Sequence, residues 1–174
     1  MAVVRPFCAL RPEPHAAAAV AAVPYDVVST DEARALAAGE PLSFLHVTRP
    51  EIDLAPGVDV YDASVYDTAR VNLARLRETA PLVVEARPAL YVYRLRDGDH
   101  TQVGVAGCFS LDEYDDGTIR KHERTRPDKE DDRTRHMVTI EAQTGVVFLT
   151  YRQTTDIDSA VDQVCDGEAL FDFV

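Results

Sequence analysis

The stretch Leu90-Tyr-Val-Tyr-Arg-Leu-Arg96 constrains the fold more than any other part of this chain. Its aromatic and β-branched side chains suit a pleated, half-buried surface. Asp97-Gly98-Asp99 breaks the run, and Thr101–Leu111 resumes it. Two β runs on either side of a short Gly-containing turn predict an antiparallel hairpin. Upstream, Val65, Ala69, Leu73 and Leu76 recur at the helical period. They predict a helix over Tyr61–Glu78, about five turns at 3.6 residues each. In a chain of 174 residues, these signals point to one α/β (α+β) domain over 1–174, with a mixed, largely antiparallel sheet flanked by helices.

The remaining signals are shorter. Arg5–Leu10 reads as a strand, and Pro12, Pro14 and Pro24 punctuate an Ala-rich, helical or irregular stretch. Ser29 or Thr30 is placed to cap a helix over Asp31–Ala38, with Gly39 as its stop. Pro41 opens a predicted strand, Leu42–Thr48, and Arg49–Asp59 is a loop holding Pro50, Pro56 and Gly57. Asp128 is expected to cap a helix over Lys129–Ala142 that ends near Gly145. Val146–Arg152 then reads as a buried strand, Asp156–Cys165 as a short helix, and the apolar tail Leu170–Val174 as either docked or the start of a further segment.

Charge excludes some function classes. Thirty acidic residues against eighteen basic ones leave a formal charge of -12, which argues against nucleic acid and anionic membranes as partners. The sequence holds no apolar run of membrane-spanning length and no signal-peptide layout. Three scattered cysteines without a CxxC pair fit a reducing, cytoplasmic setting. Cys108, inside an apolar run, is expected to be a buried packer.

Against this background, residues 120–136 carry seven of the eighteen basic side chains and sum to +2. Forked guanidinium groups suit phosphate or carboxylate. Arg124, Arg126, Lys129, Arg133 and Arg135 are therefore candidate ligands for a small anion, and His122 with Glu123 could act as an acid/base pair. On the predicted helix Lys129, Arg133 and His136 share one face, next to its positive N-terminal end. The bland alternative stands beside this: Asp132 with His136, Lys129 with Asp132, or Arg133 with Glu130 as ordinary surface pairs.

Two further candidates carry the same two readings. Asp26, in Pro24-Tyr25-Asp26, can help hold a substrate hydroxyl or metal, or can be part of a turn. His46 ends a predicted strand, where site residues gather, yet alternation places it on the face of Leu42 and Phe44, as a packed side chain. No zinc motif, phosphate-binding loop or nucleophile elbow is present.

Several blocks together resemble one family, the domain of unknown function DUF1015. They are Arg5-Pro6-Phe7, Val23-Pro-Tyr-Asp-Val27, Ser43-Phe-Leu-His-Val47, Ala89-Leu-Tyr-Val-Tyr-Arg94, Gly104-Val-Ala-Gly-Cys108, Lys121-His-Glu-Arg-Thr-Arg-Pro-Asp-Lys-Glu-Asp-Asp-Arg133 and Gln143-Thr-Gly145. Members are usually longer and carry an Asp-Gly-His-His-Arg motif similar to one in ParB-like proteins and free-serine kinases. That motif is absent here, so the chain resembles the N-terminal part of such a protein, or a natural short form. The resemblance implies the anion-binding part of a small-molecule phosphotransferase, using ATP, ADP or another nucleotide with magnesium. The alternative is a non-catalytic assembly domain. Its basic island would meet an acidic surface of the same protein, of a second copy or of a C-terminal region.

Overall fold

The computed structural model describes residues 2–122 and 124–173. Its helices are α1 (Ala17–Val20), α2 (Thr30–Ala37), α3 (Leu45–Thr48), α4 (Ala63–Thr79), α5 (Leu111–Asp115), α6 (Pro127–Ile140) and α7 (Thr155–Cys165). Its strands are β1 (Val4–Arg5), β2 (Leu10–Pro12), β3 (Leu82–Val84), β4 (Tyr91–Asp97), β5 (His100–Ala106) and β6 (Cys108–Phe109). The protein is thus a mixed α/β chain with short antiparallel sheets. It forms two compact units. Unit 1 takes in the described residues of Met1–Arg11, Val84–Arg124 and Phe148–Asp172, and unit 2 those of Pro12–Val83, Thr125–Val147 and Phe173–Val174.

Unit 2 is built around α4. Asp62 starts this helix by accepting from the Ser64 amide at 2.8 Å, which satisfies one of the orphan donors of the first turn. Val65, Ala69, Leu73 and Leu76, spaced at the helical period, are all buried. Ala69, Leu73 and Leu76 pack with Val20, Val47, Ala80 and Ile140. A second cluster joins Ala33 and Ala37 of α2 to Leu45 and Ile52. Helix α2 begins with a reciprocal cap: the Ser29 hydroxyl accepts from the Glu32 amide, and the Glu32 carboxylate accepts from the Ser29 amide.

The expected strand Leu42–Thr48 is not a strand. The amides of Val47 and Thr48 donate to the Phe44 carbonyl, and that of Arg49 to Leu45. The backbone is therefore satisfied locally, as a helical turn that buries Leu45, Val47 and Thr48. Apolar alternation over so short a run does not separate a strand from a buried turn. Helix α6 also starts slightly earlier than expected. Pro127 takes its first position, after an Arg126 that makes no side-chain cap. It ends at Glu141, which adopts left-handed φ 53.

Unit 1 contains the predicted hairpin. β4 and β5 pair in register from Tyr91 opposite Ala106 to Asp97 opposite His100. Gly98 (φ 54) supplies the positive φ of the turn. Gly107 is required for a different reason. A methyl group there would lie 2.8 Å from both Leu90 Cδ2 and Val4 Cγ1. No described side chain of unit 1 is buried, and Tyr93 (63% exposed) and Leu95 (53%) face solvent.

Two expectations fail here. Cys108 is exposed on β6, not packed inside. Val146–Arg152 forms no strand, and Val146, Val147, Phe148 and Tyr151 are all exposed. Strand propensity reflects fit to neighbouring strands, and no strand pairs with this segment.

Candidate functional site

The basic island divides at the boundary between the units. Arg120, Lys121, His122 and Arg124 belong to unit 1, and residues from Thr125 onward to unit 2. Glu123, the expected acid/base partner of His122, lies outside the described residues. Within unit 1 Lys121 sits 4.1 Å above the Tyr114 ring. The helical half of the island, on α6, can be followed side chain by side chain.

Arg126 spends its fork on Asp128. Nε lies 3.2 Å and Nη2 2.6 Å from the two carboxylate oxygens. The hydrogen bond holds the Asp128 carboxyl below the usual range and raises Arg126. Both side chains are open to water, so the pair contributes little stability. Arg133 lies 4.3 Å above the Tyr25 ring and donates to Asp132 at 2.9 and 2.6 Å. Asp132 also accepts from the Tyr66 hydroxyl at 2.8 Å. Burial first, and then the negative Asp132, push the Tyr66 hydroxyl up to about 12.

The Tyr25 turn is held from its other end by Arg49. Nη1 of Arg49 donates to the Tyr25 carbonyl at 3.4 Å and Nη2 to the Thr30 hydroxyl at 3.0 Å. Arg49 Nε lies 2.9 Å from the buried Glu51 carboxylate, as an ion pair without the alignment of a hydrogen bond. Next to this clamped turn, Asp26 is exposed.

Lys129 and Arg135 differ from the other cations of α6. Lys129 Nζ donates to the Tyr61 hydroxyl at 2.9 Å and lies 5.4 Å from that ring. Arg135 sits 4.4 Å above the Tyr66 ring and donates to the Tyr61 carbonyl at 3.4 Å. Their partners are rings, a hydroxyl and a carbonyl, and neither forms an ion pair with a described carboxylate. Aromatic faces attract cations without neutralising them. Asp128 feels the charge of Lys129 and Asp62 that of Arg135, but neither carboxylate closes a salt bridge on them.

The two candidate histidines of unit 2 are engaged elsewhere. His136 is 2% exposed, and its Nε2 lies 2.8 Å from the Val47 carbonyl. Since a carbonyl only accepts, that nitrogen carries a hydrogen. Burial lowers the His136 pKa and keeps the ring neutral. His46 has Nδ1 2.9 Å from both oxygens of Asp53, and Nε2 3.3 Å from the Glu40 carbonyl. Asn72 donates to the His46 carbonyl and to Asp53, each at 2.7 Å. This resembles a His–Asp dyad, but its outer nitrogen faces a carbonyl and not a nucleophile.

Arg126 thus stands at the N-cap position of α6, Lys129 and Arg133 lie in its N-terminal half with Arg135 just beyond, and Tyr25 is brought to Arg133. The tyrosines were not legible as site residues. Tyr61 and Tyr66 lie 68 and 66 residues from the side chains they bond, so no local spacing links them. The only hint was their position at the start of the predicted helix.

The family model described as a protein of unknown function, DUF1015, matches residues 4–174. No curated protein matches the chain, and no solved structure matches it.

Proposed function

The chain belongs to the DUF1015 family of proteins of unknown function, and from that premise we propose that the α6 face of unit 2 binds a small phosphate-bearing ligand. One observation carries the reading. In a chain of formal charge -12, Lys129 and Arg135 converge on Tyr61, and neither closes a salt bridge with a described carboxylate, although Asp128 feels the charge of Lys129 and Asp62 that of Arg135. Such a pair attracts an anion, and Tyr61 offers both a ring and a hydroxyl beside it. Arg126 adds a third cation by leaving its exposed pairing with Asp128. A nucleotide such as ATP or ADP, carrying its own magnesium, is the preferred ligand class, because its phosphates supply most of the metal's oxygen ligands. The wider role is the anion-binding part of a small-molecule phosphotransferase, in which positioning and charge neutralisation provide most of the catalysis.

The test is a thermal-shift series with ATP, ADP, CTP and inorganic phosphate, each with magnesium. A ligand at a hundred times its dissociation constant adds about 2.7 kcal/mol, or several degrees for a chain of this size. Lys129→Ala and Arg135→Ala should each abolish the shift while leaving the unliganded midpoint within about 2 °C, since both side chains are exposed and outside the core. No shift with any of the four ligands, or a shift that both variants retain, sinks the reading.

A second reading, a non-catalytic assembly role, is favoured by unit 1. Its hairpin exposes Tyr93, Leu95 and Val103, and a two-stranded sheet is marginal in water on its own.

A further inference from the structure

The assembly reading leaves the partner of unit 1 open, and charge identifies one. Residues 153–172 hold six acidic residues and no Lys or Arg. Asp158 and Asp162 on α7 and Asp166 at its C-cap follow at steps of four residues, forming one stripe along the helix. Like charges at this spacing destabilise an isolated helix. Asp162, Asp166 and the following Glu168 are exposed, and no described side chain pairs with their carboxylates. Asp158 has only an amide partner, Gln153 Nε2 at 2.7 Å.

The same unit carries the complementary group. Arg120 and Arg124 are exposed and make no ion pair with a described carboxylate. Asp158 and Asp166 stand about 12 Å apart along a helix rising 1.5 Å per residue. The two arginines supply the positive charge that the stripe lacks.

We propose that α7 of one copy receives Arg120 and Arg124 of a second copy of this chain, in a two-fold dimer. This rests on the assembly reading and is independent of the anion site on unit 2. Both surfaces lie in unit 1, so a two-fold axis uses each contact twice, as a self-complementary interface requires. At 0.15 M salt the screening length is about 8 Å, so the repulsion between the net charges of the two copies is largely screened beyond that distance. Close pairs within that length remain attractive, and their desolvation favours guanidinium over ammonium.

Sedimentation velocity on the 174-residue chain at about 0.15 M salt should show a dimer. Arg120→Glu/Arg124→Glu and Asp162→Lys/Asp166→Lys should each weaken it by at least about tenfold, because both juxtapose like charges. An equimolar mixture of the two variants should restore association as a heterodimer. Circular dichroism confirms that each variant is folded. If a reversed variant unfolds, the neutral Arg120→Gln/Arg124→Gln and Asp162→Asn/Asp166→Asn forms replace it and should weaken the dimer to a lesser degree. A monomeric native chain overturns both the interface and the assembly reading. A native dimer that survives charge reversal, or variants whose mixture stays monomeric, overturns this interface and leaves assembly standing.

Discussion

Replacing His136 by Phe tests how unit 2 is held together. The native ring is 2% exposed, and its Nε2–H donates to Val47 across 2.8 Å. Phenylalanine keeps a ring in the space but leaves the Val47 carbonyl without a donor. A buried acceptor stripped of its partner costs about 1–3 kcal/mol. For a chain of this length that lowers the melting temperature by about 2–12 °C. The pH dependence gives a second, sharper signature. Burial lowers the folded-state pKa of His136, whereas an unfolded histidine titrates near about 6.5. On acidification the unfolded chain takes up the proton first. The contribution is therefore complete above about pH 6.5 and is lost as pH falls through that value toward the folded pKa, by at most about 1.4 kcal/mol per pH unit. Urea denaturation of native and variant protein between about pH 7.5 and 5.5 measures it, and subtraction removes the carboxylates common to both. The native protein should lose stability faster than His136→Phe. Equal stability at the upper pH, or two parallel curves, would refute the assignment of His136 as a buried neutral donor.

Other perturbations have different signs and sizes. Tyr66→Phe removes the 2.8 Å bond to Asp132. Because Asp132 keeps Arg133, the expected loss is about 1–2 kcal/mol by urea denaturation, and no loss would mean that bond is absent in solution. Ser29→Ala opens the reciprocal cap of α2 and should cost about 0.5–2 kcal/mol in the same assay. Glu141→Gly should stabilise by about 0.5–1 kcal/mol, because glycine tolerates the left-handed φ of 53 at which α6 ends. Gly107→Ala places a methyl group 2.8 Å from Leu90 and Val4. It should cost about 1–3 kcal/mol, read as faster amide exchange in the hairpin and not in α4.

The elements legible in the sequence are those whose information is local. Helix α4 was marked by its apolar period, α2 by a Ser29 or Thr30 cap and its Gly39 stop, and the hairpin by its Gly-containing turn, and all three form. Leu42–Thr48 and Val146–Arg152 misled because each is a short apolar run whose state is decided by what lies beside it. The first found a core to turn into, and the second found no strand to join. The site was legible in part. The cations of α6 stand out in an acidic chain, but the surface pairs expected between Asp132 and His136, or Arg133 and Glu130, are replaced by Arg133 with Asp132 and His136 with Val47. Tyr25, Tyr61 and Tyr66, which receive those cations, approach from distant parts of the chain, where spacing carries no information.

The uneven distribution of buried side chains has a thermodynamic consequence. Every buried apolar side chain among the described residues belongs to unit 2. Heat-capacity change and unfolding enthalpy both scale with the surface exposed on unfolding. A calorimetric endotherm of the isolated chain is therefore a measurement of unit 2, and its enthalpy per residue falls below the usual value for a protein of this length. The amides of the β4–β5 hairpin exchange through local opening well before the transition. Apparent cooperativity thus reports on partnership as much as on folding, since any partner that covers the hairpin adds heat to the same transition.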